Sequence, residues 1–81
     1  MTDKRYLRPG LDFARGWMVE ELCELGAALG KSIRWGWDST NPELPLSGET
    51  NESWVRREMA DVRAALDNLE RELDQSAEGR R

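Results

Sequence analysis

The sequence is poor in cysteine, in net positive charge and in long apolar runs. Cys23 is the single cysteine among 81 residues, so no disulfide forms within the chain, and we expect a reducing, cytoplasmic environment. No apolar run is as long as a membrane-spanning helix or the core of a signal peptide. The net charge of −4 argues against general nucleic-acid binding.

Two segments have the apolar periodicity of amphipathic helices, and no segment has the alternation of a β-strand. The first helix is predicted to begin near Leu11 and to end between Gly30 and Trp35. The second helix is predicted to begin at Thr50 or Asn51, either of which can cap it. Apolar residues recur at spacings of three and four residues at Leu11, Ala14, Met18, Leu22, Leu25 and Leu29, and at Val55, Met59, Val62, Leu66, Leu69 and Leu73.

These helices predict an all-α fold in which a helical hairpin completes a four-helix bundle by oligomerisation. The chain 1–81 is expected to be one domain with a loose arm at 1–9 and a frayed tail at 76–81. The connection 36–51 is rich in turn-forming residues, and connections of this length are often functional. Two short helices bury little apolar surface by themselves, so we expect a homodimer or a larger homo-oligomer.

Two acidic motifs are the most informative feature of the chain. Glu20, Glu21 and Glu24 form an E-E-x-x-E motif in the first helix, and Glu58 and Asp61 form an E-x-x-D motif in the second. Residues three apart share a helix face, and Glu58 is expected at the border of the apolar stripe. Carboxylates on facing helices repel unless a cation lies between them, and an all-oxygen site suits Mg²⁺ or Mn²⁺. The alternative is an acidic surface exposed to water.

The order of these motifs resembles the MazG-like superfamily of all-α nucleoside triphosphate pyrophosphohydrolases. The resemblance covers roughly residues 11–73. It implies Mg²⁺-dependent attack of water between the α- and β-phosphates, which yields a nucleoside monophosphate and pyrophosphate. It also implies metal ligands at Glu21, Glu24, Glu58 and Asp61. Glu20 and Glu21 are then the catalytic candidates, with Glu20 acting as a ligand, as a partner of a ligand or as the base that orients water.

The candidate nucleotide contacts are basic and aromatic residues near the helix ends, namely Lys31, Arg34, Trp35, Trp37 and Arg57. Arginine makes bidentate contacts to phosphate, and tryptophan stacks on bases for about 1–3 kcal/mol. Ion pairing with nearby acids is an equally good explanation of the basic residues. Packing of the loop is an equally good explanation of Trp35 and Trp37.

Two other functions fit the same sequence. The cleft between the helices could bind a nucleotide without hydrolysing it, in which case nucleotide affinity is expected without product. Alternatively, the chain is a structural or regulatory hairpin whose apolar row from Val55 to Leu73 docks a partner helix. That function predicts no dependence on a metal. Trp17 and Trp54 are expected to lie in the core.

Overall fold

The chain folds as an antiparallel hairpin of two long helices. The structure is a computed structural model and describes residues 9–40 and 48–79. Helix α1 is Pro9–Trp35 and helix α2 is Asn51–Gly79. The described residues contain no strand, only an isolated antiparallel bridge between Thr40 and Thr50. The predicted all-α hairpin is confirmed, and within these residues neither helix has a stretch long and apolar enough to cross a membrane.

Helix α1 ends at a glycine in the left-handed region. Gly36 has a φ of 88°, and its N–H donates to the carbonyl of Ser32 at 2.8 Å. A non-glycine residue rarely adopts this conformation, which commonly ends α-helices. The fully buried Asn51 ties this end to α2, because its Nδ2 donates to the carbonyl of Gly36 at 2.9 Å.

Helix α2 begins with the predicted cap. The hydroxyl of Thr50 accepts a hydrogen bond from the N–H of Ser53 at 3.1 Å, which satisfies one of the free donors of the first turn. A second donor is satisfied by the connection, since the N–H of Glu52 donates to the carbonyl of Trp37 at 3.0 Å. The backbone of Trp37 is therefore fixed against the start of α2.

The core between the helices is thin and is built largely from small residues. Its buried apolar members are Ala14, Met18, Ala28, Trp54, Val55 and Ala65. Alanines allow the helices to approach closely, and Trp54 fills space against Ala28. The residues of α2 that face α1 include Trp54, Glu58 and Ala65. Glu58 is therefore buried, and the prediction that it lies at the border of the apolar stripe is wrong. The predicted apolar row is rotated outward, and Leu66 and Leu73 are each 45% exposed.

Helix α2 is longer than the sequence predicts. The predicted frayed tail at 76–81 is wrong as far as Gly79, because the helix continues to that residue and Ser76 is buried. The last turns of α2 pack beside the start of α1, where a Cβ on Gly10 would overlap the carboxylate of Glu72. Helix α1 likewise begins at Pro9, inside the predicted arm, and proline is favoured at a first helical position. Residues 1–8 of that arm and residues 80–81 lie outside the described residues.

Candidate functional site

Three carboxylates meet between the two helices. Glu21 and Glu24 of α1 and Glu58 of α2 each place a carboxylate oxygen within 4.8 Å of the others. Glu58 is 5% exposed, Glu21 is half-buried and Glu24 is exposed. The burial of the three acids therefore decreases from Glu58, at the helix interface, to Glu24, at the surface.

The two inner carboxylates have matching hydrogen bonds. The indole Nε1 of Trp17 donates to Oε1 of Glu21 at 3.2 Å, and that of Trp54 donates to Oε1 of Glu58 at 3.2 Å. In both acids the other oxygen, Oε2, is buried and has no hydrogen-bond partner. A buried carboxylate oxygen without a donor is unfavourable, with a cost of about 1–3 kcal/mol or more. These two oxygens therefore lack a compensating partner.

One arginine neutralises part of the charge of the cluster. Arg57 donates from Nε and Nη2 to the two carboxylate oxygens of Glu49 at 3.2 and 3.1 Å. Its Nη1 lies 3.7 Å from Oε1 of Glu58, which is the oxygen already bonded to Trp54. The attraction of Arg57 is thus directed to the occupied oxygen, and Oε2 of Glu58 stays unpaired.

The donor set and the spacing fit a hard divalent cation. The sequence has no histidine, so a metal site formed by this cluster would have carboxylate oxygens as its protein ligands. Around a Mg²⁺ with bonds of about 2.1 Å, ligand oxygens lie about 3 Å apart when adjacent and about 4.2 Å apart when opposite. The carboxylate oxygens of the cluster lie within 4.8 Å of one another, so at most small side-chain rotations would bring them to these separations.

The exposed member of the cluster holds its proton more tightly than usual. The pKa of Glu24 is raised above its ordinary value of 4.5, and the charge of Glu21 is the largest cause. The smaller causes, in decreasing order, are desolvation, the charge of Glu58, a hydrogen bond to Glu58 and the charge of Glu20. The folded protein therefore carries an unfavourable charge at Glu24 when the pH is above this raised pKa, and a proton relieves it at lower pH.

We expect Glu24→Gln to stabilise the metal-free protein most at neutral pH. Because the folded pKa of Glu24 is raised, its charge is destabilising above that pKa and harmless below the unfolded value of 4.5. The difference in melting temperature between variant and wild type should therefore be largest above the raised pKa and shrink as the pH falls through that pKa toward 4.5. Thermal unfolding in chelator at several pH values measures this, and a pH-independent difference would contradict it.

The remaining predicted acids lie beside the cluster. Asp61 is half-buried one turn after Glu58, but it is not among the carboxylates within 4.8 Å of one another. It contributes to the field around Arg57 instead. Glu20 is exposed, and its charge adds to the rise in the pKa of Glu24. Glu20 therefore acts on the cluster through its charge, and Asp61 acts on the neighbouring Arg57.

Some predicted nucleotide contacts share the open side of the cluster. Lys31 and Trp35 lie seven and eleven residues after Glu24, which places each of them within about 20° of Glu24 around α1. Trp35 is exposed and lies about 16 Å beyond Glu24 along the helix axis. We call this side the acidic flank: Glu24, Lys31 and Trp35 of α1, with Arg57 and Asp61 of α2. Arg34 is elsewhere, about 200° around α1 from the buried Ser32, and faces away from α2.

The other predicted tryptophan lies on the opposite flank of the hairpin. A shallow groove of about 540 Å³ is lined by Trp37, Asp38, Glu52, Val55, Arg56 and Met59. Met59 and Asp61 are two residues apart, and so about 200° apart around α2. The groove therefore does not share a side with the acidic flank, and Trp37 and Trp35 are separated.

The hydrogen bonds of Trp17 and Trp54 are the contribution that the sequence-based interpretation missed. Trp54 is buried and Trp17 is half-buried, and each also bonds a cluster acid. A signal for them exists, because W-x-x-x-E occurs once in each helix and residues four apart share a face.

No protein-family model, no curated protein and no solved structure matches this chain. We therefore infer its function from the geometry and the chemistry of its own residues. The central facts are the three converging carboxylates and the two buried oxygens that lack a donor.

Proposed function

We propose that this protein binds Mg²⁺ or Mn²⁺ between its helices and hydrolyses a nucleoside triphosphate to the monophosphate and pyrophosphate. The observation that carries the proposal is the pair of buried, unpartnered Oε2 atoms of Glu21 and Glu58 beside Glu24. If the cluster were only a solvent-exposed acidic surface, its carboxylate oxygens would be hydrated by water. A cation supplies the missing partner for both oxygens at once.

In this function Glu21, Glu24 and Glu58 hold the cation. When bound, the ion neutralises phosphate charge and lowers the pKa of a water molecule it holds. Glu20, which is exposed and next to Glu21 in the chain, would accept a proton from water on the solvent side. Asp61 joins as a ligand if its side chain turns toward Glu58, and otherwise it orients Arg57 through charge.

The acidic flank also provides contacts for the remainder of a nucleotide. Lys31 lies on the same side of α1 as Glu24, and its ammonium can contact phosphate. Trp35, at the end of the same row, offers an exposed ring for a base. We therefore assign base stacking to Trp35 rather than to Trp37, which lines the groove on the other flank.

A binder that does not hydrolyse its nucleotide is the second candidate, and the ion pair of Arg57 favours it. Departure of pyrophosphate requires a cation near the developing charge. Arg57 is held by two hydrogen bonds to Glu49, so it must release that partner before it can serve a leaving group. A site of this kind retains affinity for a nucleotide with its metal while the chemical step is slow.

We further propose that two copies of the chain associate through the flank opposite the acids. We call it the apolar flank: Leu22, Leu29 and Ile33 of α1, with Met59, Leu66 and Leu73 of α2. In each helix, these residues lie on the same rotational side of the residues that contact the other helix, viewed from that helix's own N-terminus. Because the helices are antiparallel, the two sets then lie on one side of the hairpin. The hairpin measures 50 × 25 × 20 Å. A full flank thus approaches the roughly 800 Å² that each partner buries in a standard interface.

The decisive experiment is product analysis with purified protein and a panel of nucleoside triphosphates, with Mg²⁺ and with chelator. We expect pyrophosphate and a nucleoside monophosphate only with the metal. Release of orthophosphate would reject the assigned bond. Metal-dependent binding without any product would establish the non-hydrolysing binder, and absence of both would remove nucleotides from the function.

A further inference from the structure

The strongest unassigned feature of the molecule is a repeated tryptophan–glutamate pair. Trp17 and Glu21 in α1 have the same spacing as Trp54 and Glu58 in α2. Both pairs have the same bond from Nε1 to Oε1, at 3.2 Å, and both leave Oε2 buried without a donor. Two independent helices thus present the same arrangement to one cluster.

Indole has properties suited to holding a metal-binding carboxylate. It is a donor only, so the bond always leaves the acid's oxygen as the acceptor, and it fixes that oxygen without adding charge. An arginine or lysine in the same place would orient the carboxylate but would also repel an incoming cation. The tryptophans avoid this repulsion, which is a reason for indole at these two positions.

Each ring lies beside another side chain. Trp54 is buried in the core against Ala28, and Trp17 is half-buried with its ring centroid 6.1 Å from that of Phe13. A donor whose own rotamer is restricted restricts the acid that it bonds. Groups that orient metal ligands in this way typically change metal affinity by about 10–100-fold when removed.

We infer that Trp17 and Trp54 are positioning residues that hold Oε1 of Glu21 and Glu58, so that the two Oε2 atoms are presented together to a divalent cation. The inference rests on the proposed cation site. It goes further by assigning a role to two residues that do not themselves ligate the ion. A structural role alone would affect the stability of the hairpin and not its affinity for metal.

The first test compares Trp17→Phe with Trp37→Phe. Phenylalanine keeps an aromatic ring and loses the N–H, and Trp37 is a matched control on the opposite flank. We expect the dissociation constant for Mn²⁺, measured by titration calorimetry, to rise by about 10–100-fold in Trp17→Phe and to stay unchanged in the control. Trp54→Phe should behave like Trp17→Phe. An unchanged constant in Trp17→Phe, with or without a lower melting temperature, would overturn the inference.

The second test needs no substitution and so does not depend on whether Trp54→Phe folds. The indole N–H resonances of the wild-type protein are followed during titration with Mg²⁺. We expect the signals of Trp17 and Trp54 to shift together and saturate, while that of Trp37 stays in place. If Mg²⁺ binds and neither indole responds, the positioning role is rejected and the cation site stands. If no metal binds the wild type in either test, the cation site and the positioning role fall together.

Discussion

Glu58→Gln is expected to raise the melting temperature of the metal-free protein and to abolish its response to Mg²⁺. Glu58 is 5% exposed, and its Oε2 lacks a donor beside two other acids. Glutamine keeps the acceptor for Trp54 while it removes a buried charge and supplies an NH₂ donor toward Glu21 and Glu24. Relief of even about 1 kcal/mol raises the melting temperature of a domain this small by about 4–8 °C.

The wild type should be stabilised by metal, whereas the variant should not respond to it. A ligand that binds only the folded state stabilises it by about 2.7 kcal/mol at a concentration of 100 times its dissociation constant. The wild type should therefore melt several degrees higher with Mg²⁺ than with chelator. Glu58→Gln should give the same curve in both conditions and should also lose pyrophosphate release. Differential scanning fluorimetry with Mg²⁺ and with chelator measures the change in melting temperature.

Two variants provide the comparison that isolates the site. Glu70→Gln makes the same chemical change at an exposed position of α2 outside the cluster, so it should leave both the melting temperature and the Mg²⁺ response near wild type. Asp61→Asn should weaken the response without removing it, because Asp61 lies outside the group of close carboxylates. Equal melting curves of the wild type with metal and with chelator would reject the cation site.

The spacing of the acids was enough to predict that the acids of each motif share a face of their helix, but not how deeply they are buried. Residues three and four apart share a face whatever lies opposite, whereas the meeting of Glu21, Glu24 and Glu58 also depends on which faces the two helices turn toward each other. The depth of Glu58 depends on how α2 is rotated. The rotation follows the packing of Trp54 against Ala28, a tertiary contact that periodicity does not contain.

The ends of the helices also differ in whether local or tertiary contacts determine them. Thr50 caps α2 as predicted, because a cap is a contact within one turn. The end of α2 at Gly79 was missed, since its last turns are supported by the start of α1. The predicted apolar row of α2 is only partly buried, since Leu66 and Leu73 are each 45% exposed. The partner of the row could not be predicted, because the same spacing serves a helix of the same chain or of another copy.

Leu66→Glu is expected to convert the protein from a homodimer to a monomer at micromolar concentration. Leu66 is 45% exposed in the hairpin, so the change costs the isolated fold little, whereas it places a charge in the middle of the proposed interface. An unpaired charge there should weaken association by at least about 100-fold, which corresponds to about 2.7 kcal/mol. Sedimentation equilibrium of wild type and variant measures the change.

The control is Ala64→Glu, which adds the same charge to the same helix at an exposed position about 200° from Leu66. It should remain dimeric. Ile33→Glu tests the other helix, since Ile33 is 85% exposed on the apolar flank and has few contacts to lose in the hairpin. Both flank variants should keep the rise in melting temperature with Mg²⁺, because the carboxylates face the opposite side. A monomeric wild type at micromolar concentration, or a dimer that survives both flank substitutions, would place the interface elsewhere or remove it.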